Sequence, residues 1–419
     1  MQNLLQYIRQ EMKYVDRTYW LLLIVLVLMA SISLFSASSF FVFQEGSSTL
    51  GPILSQMVYI ALGLALAFGL QFVPSKWIRI LGYVGIFASI VLLLLTYSPL
   101  GVEINGSRRW IRVLGITFQP SELAKMTLII VVSDLLSRIR NKDDERKYYW
   151  MAMGVTAIVC GIIFIGNLST AVILGGVVIL LTILARVHIK YWGSTVLVLA
   201  LCLVMGYVFV NEVYVKPGRK VDGVFKRATV WVNRINTDSE ERKVTDPEFR
   251  ITDENYQASH AMIAIARGGK SPFGVLPGNS TERDVLPQAY ADYIFAIIVE
   301  EWGIVGAVFL ILVYLAILFR ACLKSSRYAD YSAMLMVMGL ALMLTCQALI
   351  SMMVSVGIGP VTGQPLPMIS RGGTSALITS FYFGIIMSVS REQTKLGALQ
   401  QATIHQNSEE VPIVKLEQS

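Results

Sequence analysis

The chain has 419 residues, of which 55% are hydrophobic and only 15% charged, with a mean hydropathy of +0.61. That composition excludes a water-soluble globular domain of this length and makes a lipid bilayer the natural solvent. The formal charge of +7 is accounted for by basic residues flanking membrane spans, so no nucleic-acid partner is expected.

Residues 1–18 are polar and lead into a full-length apolar run rather than a short one ending in a small-residue cleavage site, so the first span is expected to be retained. Apolar runs long enough to cross roughly 30 Å of hydrocarbon as helix predict spans at 19–38, 52–73, 79–97, 120–137, 148–165, 170–187 and 191–211. A polar insert, 212–290, follows the seventh span and is the one extramembrane region large enough to be a small domain. Spans at 303–322, 331–356 and 374–390 complete the set, and 391–419 reads as a flexible polar tail. The organisation is thus transmembrane helices 1–7 over 19–211, the loop 212–290, and helices 8–10 over 291–390 with a re-entrant-like loop before the last. The fold class is an all-α polytopic membrane protein of about ten transmembrane helices, with a large extracytoplasmic loop between helices 7 and 8.

Cys160, Cys202, Cys322 and Cys346 all fall in apolar stretches without paired spacing, so neither a disulfide nor a zinc site is expected. There is no fixed-period repeat. Lys and Arg gather on alternate connections, among them Arg17, Lys76, Arg138, Lys190, Arg320 and Arg391, and the positive-inside rule makes that side cytoplasmic, with both termini. On the short loops of the opposite side only Arg108, Arg109, Arg112 and Arg371 break the pattern.

Polar chemistry concentrates in three segments of that outer side. The first, NGSRRWIRVLGITFQPSELAK (105–125), surrounds Trp110 with three arginines, whose forks suit phosphate oxygens such as those of an anionic lipid head. Pro120, Ser121 and Glu122 suit a helix start, and Lys125 lies three residues on. A lysine one turn into hydrocarbon demands a partner, and Glu122 is the expected one. The second, LPQAYADYIFAIIVEEWG (286–303), places Asp292 at the mouth of the bundle, where it is either a general base or a helix cap. Glu300 and Glu301 lie about two turns deeper, on different sides of an unbroken helix, and read as partners of buried cationic groups. The third, GPVTGQPLPMISRGGTS (359–375), is irregular backbone opening a helix at Gly372-Gly373, with Arg371 beside N–H groups that suit an anion. No Walker A, GxSxG, HExxH or CxxCH motif is present, so ATP-driven transport by this chain alone is not expected.

Together the three segments resemble the SEDS family (shape, elongation, division and sporulation), the bacterial polytopic proteins that include FtsW, RodA and SpoVE. Its NGxxRWI and QPSExxK elements match Asn105-Gly106, Arg109-Trp110-Ile111, Gln119 to Glu122 and Lys125. Its LPxxxxDFIFAxxxEExG element matches Leu286-Pro287, Asp292 to Ala296, Glu300-Glu301 and Gly303, and its LPxxSxGGxS element matches Leu366-Pro367, Ser370, Gly372-Gly373 and Ser375. Tyr256-Gln257 and Gly268-Gly269 fit as well. The resemblance covers nearly the whole chain. It departs at 166–171, where a QPDLGTA element gives way to Gly166-Asn167-Leu168-Ser169-Thr170-Ala171, at Arg371 in place of an aromatic, and at Ser351 where Asn is common. The TGQPLPMISRGGTS wording and the missing QPD element are more similar to the FtsW division branch than to the RodA elongation branch.

The resemblance implies a peptidoglycan glycosyltransferase that polymerises lipid II on the outer face of the bacterial cytoplasmic membrane, at the division septum. Its implied partners are a class B penicillin-binding protein transpeptidase and other divisome proteins. On that footing Asp292 is the expected catalytic base, and Arg109, Lys125, Glu122, Arg108, Arg112, Ser370 and Arg371 are the expected substrate-binding residues. No cofactor is identified, and the sequence leaves a divalent cation open. A lipid II flippase and a non-catalytic divisome scaffold are the competing expectations.

Overall fold

The structure is a computed structural model describing residues 2–37, 50–104, 107–113, 116–214, 251, 255–286, 292–358 and 363–409. Asn105-Gly106, Pro287, most of the insert (215–250) and the end of the tail (410–419) lie outside the described residues.

Among the described residues there are twelve helices. A short amphipathic α1 (Gln2–Glu11) precedes α2 (Arg17–Ala37), α3 (Leu50–Leu70) and α4 (Ser75–Leu95). Then come α5 (Pro120–Ser137), α6 (Lys142–Gly166), α7 (Leu168–Leu184) and α8 (Ile189–Tyr214). After α9 (Tyr256–Gly268) the chain finishes with α10 (Ile294–Ser325), α11 (Tyr331–Ser355) and α12 (Gly373–Glu409). Seven of these, α2, α4, α6, α8, α10, α11 and α12, are long and apolar enough to cross a membrane. The apolar α3 and α7, and the charged α5, complete ten helices that coincide with the ten expected spans. The protein is a multi-pass membrane protein.

Which helix sits where follows from what each carries. From Pro120 to Leu136 only Leu123 on α5 is not buried, and the helix packs against α4, α6 and α11. It carries Glu122, Lys125 and Asp134, which are tolerable at membrane depth only inside protein. By contrast α8 has no buried residue in its apolar stretch. It presents Leu197, Val204 and Met205 outward, as a lipid-facing helix should.

Three features depart from the expected layout. The connection before α5 forms a small antiparallel sheet, β1 (Gly101–Ile104), β2 (Ser107–Val113) and β3 (Ile116–Phe118), which hydropathy did not signal. Helix α10 starts at Ile294 instead of 303, because the acidic pair that interrupts the apolar run is itself buried within the helix. Helix α12 runs past the expected end at 390 to Glu409, so 391–409 of the expected flexible tail is helical.

The α10 helix is broken at Gly303, whose φ of 66° and ψ of −162° suit glycine alone. The 269–281 segment lies across this break. A Cβ on Gly303 would overlap the Pro272 carbonyl and the Gly274 nitrogen, and one on Gly274 would overlap the Glu300 carbonyl. Within this close approach Val275 donates its N–H to Glu300 O at 2.9 Å, and Val305 to Pro272 O at 3.1 Å.

At the opposite end of the bundle, ion pairs staple the helix ends. Arg320 holds Asp16 with two hydrogen bonds of 2.8 and 3.0 Å. Arg391 and Lys395 hold Glu11 at 2.7 and 2.5 Å, and Arg79 holds Asp330 at 2.8 Å.

Candidate functional site

The alternation of a β-strand decides which arginine faces the bundle. Along β2, Arg109 and Ile111 share one face, and Trp110 and Arg112 the other. Ile111 is buried and Arg109 half-buried, whereas Arg112 is exposed. The strand also contacts α4, α5 and α6, which fixes it over the end of the bundle. Arg108 pairs through its backbone with Glu103, and its side chain lies outside the described residues.

Asp292 is half-buried and stands two residues before α10, whose first turns are wholly buried. It comes to one point with Arg109. Gly363 adopts φ +60°, and a Cβ placed there would lie 3.4 and 3.5 Å from the two terminal nitrogens of the Arg109 guanidinium and 3.8 Å from Oδ2 of Asp292. Residues about 180 positions apart are therefore within reach of one ligand atom. The positive φ favours glycine there, and a side chain would touch both groups.

Gly363 begins an irregular strap, 363–372, that leads into α12. The strap is irregular at bundle depth because its polar groups are satisfied by protein. Leu366 N–H donates to the Ser370 hydroxyl at 2.8 Å, and Ser370 N–H returns to Leu366 O at 3.0 Å, with Met368 in the left-handed region between them. Tyr314 of α10 donates to Pro367 O, Gln364 donates to the Thr170 hydroxyl, and Gln347 of α11 donates to Pro365 O at 3.1 Å. Ser370, an expected substrate ligand, is thus buried and closes this turn. Arg371 is half-buried beside it.

Lys125 is completely buried one turn into α5. Its ammonium donates to Glu122 Oε1 at 2.7 Å, the partner that the i,i+3 spacing suggests, and to Gln347 Oε1 at 2.6 Å. Through Gln347 the ammonium is tied to the strap that carries Gly363. Glu300 and Glu301 take another part. Both are fully buried, but they chiefly accept hydroxyl and backbone N–H groups. Glu300 takes the Ser280 hydroxyl and Thr281 N–H, with Arg267 at 3.6 Å. Glu301 takes the Ser36 hydroxyl and Gly278 N–H at 3.1 Å. They organise the 275–281 segment rather than the point between Asp292 and Arg109.

Gln347 and Gly363 were not singled out as site residues from the sequence. A lone amide inside an apolar span was the available signal for the first; for the second there was none beyond a Gly-Pro-rich loop.

Comparison with known proteins agrees with this architecture. The model of the FTSW_RODA_SPOVE family, described as "Cell cycle protein", matches residues 16–395. The "Probable peptidoglycan glycosyltransferase FtsW" of Nitrosomonas europaea is 31% identical over 378 residues, covering 88% of this chain and 89% of the relative. The protein of the same name from Saccharophagus degradans is 31% identical over 394 residues, covering 91% and 94%. Among solved structures, a chain in "Structural coordination of polymerization and crosslinking by a peptidoglycan synthase complex" superposes with a TM-score of 0.68 at 25% identity, over 90% of this chain and 98% of that one. The Thermus thermophilus rod shape determining protein RodA shares the fold, with a TM-score of 0.62 at 23% identity over 90% and 97%.

Proposed function

The chain belongs to the FtsW/RodA/SpoVE family of cell cycle proteins, and from that premise we propose that it is a peptidoglycan glycosyltransferase polymerising lipid II during septal wall synthesis. The observation that carries this reading is the meeting of the Asp292 carboxylate and the Arg109 guanidinium at Gly363. Asp292 takes the proton of the acceptor sugar's 4-hydroxyl as that oxygen bonds to the anomeric carbon of the donor. The bond from that carbon to the pyrophosphate breaks, and its electron pair leaves with the phosphate oxygen. No acid need protonate this leaving group, since it is stable as an anion and Arg109 and Lys125 neutralise its growing charge. Arg371 stands behind them.

The positive-inside rule puts the ion-paired end in the cytoplasm and the site outside, where the lipid-linked disaccharide is used. The relatives' names support the activity. The likeness to a chain of a peptidoglycan synthase complex supports a transpeptidase partner, which we assign to the class B penicillin-binding proteins, with other divisome proteins around it.

The test is polymerisation of labelled lipid II by the purified chain with its transpeptidase, with and without a chelator to register any divalent cation. Asp292→Asn is expected to lower turnover by about a hundredfold or more. Glycan made by that variant at the wild-type rate would remove Asp292 from the chemistry. Transfer of lipid II across liposomes without polymer would favour a flippase, and neither activity a scaffold.

A further inference from the structure

Two halves of the proposed site are built on different elements, and one neutral side chain joins them. Gln347 is buried, 3% exposed, in α11. Its Oε1 accepts from the Lys125 ammonium at 2.6 Å, and its Nε2 donates to Pro365 O at 3.1 Å. Both ends of the amide are committed, so its orientation is fixed. A flipped amide would set its NH₂ against an ammonium and its oxygen against a carbonyl. Pro365 is two residues from Gly363, where Arg109 and Asp292 converge. Two of the three ammonium N–H bonds of Lys125 go to Glu122 and Gln347, and the third has no acceptor among the described residues.

The choice of an amide is chemically specific. A carboxylate at 347 would still accept from Lys125, but it could not donate to Pro365 O, and it would put two carboxylates on one ammonium. An apolar side chain would leave both the ammonium and the carbonyl short of a partner in a buried place. Of the charged and titratable groups, Lys125 from α5 touches this amide and Glu122 shares that ammonium, with Tyr382 of α12 near Glu122; Tyr314 of α10 holds Pro367 of the same strap, and Arg109 and Asp292 lie at its Gly363 end.

We propose that Gln347 is a positioning residue for glycosyl transfer, holding the Lys125 ammonium and the 363–372 strap in one register. In that register the cation meets the departing pyrophosphate while Asp292 meets the acceptor hydroxyl. The inference rests on the reading of Asp292 and Lys125 given above. Misplacement by about 1 Å costs on the order of a hundredfold in rate, which sets the size of the expected effect.

The experiment compares Gln347→Glu, Gln347→Leu and Lys125→Met with wild type in the lipid II assay, with thermal unfolding recorded alongside. Gln347→Leu is expected to lower kcat about a hundredfold per folded molecule with KM changed by less than about threefold. The decisive measurement is the turnover of Gln347→Glu divided by that of wild type, at about pH 8 and about pH 6. Protonated, the introduced acid donates to Pro365 O while its carbonyl accepts from Lys125, as the amide does. The ratio should therefore rise by roughly tenfold on acidification. With turnover counted per folded molecule at each pH, a purely structural role would give lower unfolding temperatures and a ratio near one at both pH values, and that result overturns the proposal even if Gln347→Leu fails to fold. Lys125→Met turning over like wild type, or wild type making no glycan, would instead strike the reading underneath. Those outcomes are told apart because neither depends on residue 347.

Discussion

Ser36 on α2 donates its hydroxyl to the Glu301 carboxylate on α10, joining residues 265 positions apart at full burial. Gly278 N–H reaches the same oxygen at 3.1 Å, and Arg283 reaches the Ser36 hydroxyl at 3.2 Å. This network belongs to the docking of the 275–286 segment. Glu301→Ala should therefore destabilise the protein by about 2–3 kcal/mol, and Glu301→Gln, which keeps one acceptor, by about 1 kcal/mol. Thermal unfolding in detergent measures both, and limited proteolysis should cut the segment faster in the first. Turnover per folded molecule should stay within about twofold of wild type. A collapse of turnover with unchanged unfolding would place Glu301 in the chemistry instead.

Gly303 is a sharper case, since it combines a backbone conformation suited to glycine with neighbours that cannot yield. Its Cβ would overlap backbone atoms of Pro272 and Gly274, not the tips of flexible side chains. Gly303→Ala is expected to cost about 3 kcal/mol or more, seen as a large drop in unfolding temperature and in yield of folded protein. Gly154, around which a Cβ meets nothing within 4 Å, is the control, and Gly154→Ala should be neutral or slightly stabilising. Equal behaviour of the two variants would mean that the break in α10 is not fixed by the segment lying across it.

The ten spans were legible because a bilayer admits few solutions for a hydrophobic chain, so length and hydropathy alone locate them. Lys125 and Glu122 were legible because helical spacing is local. The start of α10 was not. Glu300 and Glu301 look like a boundary until the hydroxyls and N–H groups that satisfy them arrive from residues 36 and 278–281. The outer sheet was hidden by short strands, three to seven residues long, the longest of them carrying three arginines. Gln347 is the same kind of omission. A single amide in an apolar span announces itself, but its role depends on Lys125 and Pro365, which no spacing rule connects to it.

Strand alternation makes the outer arginines unequal, although the sequence groups them. Arg109→Lys keeps the charge but loses the planar fork next to Asp292, and should lower lipid II turnover by about 10- to 100-fold. Arg112→Ala, on the exposed face of β2, should leave it within about twofold. Gly363→Ala tests the same geometry from the strap. It forces an L residue into a left-handed conformation costing about 1–2 kcal/mol, and sets a methyl where Arg109 and Asp292 meet. Its turnover should fall more than its stability. If instead Arg112→Ala is the damaging substitution, the register of β2 over the bundle is wrong.

At the other end of the bundle, Glu11 and Arg391 form an ion pair of 2.7 Å with side chains 6% and 5% exposed, and the two partners are not interchangeable. Glu11 also holds Lys395 at 2.5 Å, while Arg391 also donates to Phe72 O at 3.3 Å. Removing the negative charge leaves a buried guanidinium with only neutral partners, among them the Phe72 carbonyl and ring, and a second cation beside it. Removing the guanidinium leaves Glu11 still paired with a half-exposed lysine. Glu11→Gln should therefore cost about 3 kcal/mol, and Arg391→Gln roughly half of that. In the double variant the loss should be smaller than the sum, because the buried charge left by the first substitution is gone. Thermal unfolding of the three proteins measures the asymmetry. Equal losses would mean that the ammonium of Lys395 takes no share of the Glu11 charge. The site lies at the far end of the bundle, so lipid II turnover per folded molecule should not follow these losses.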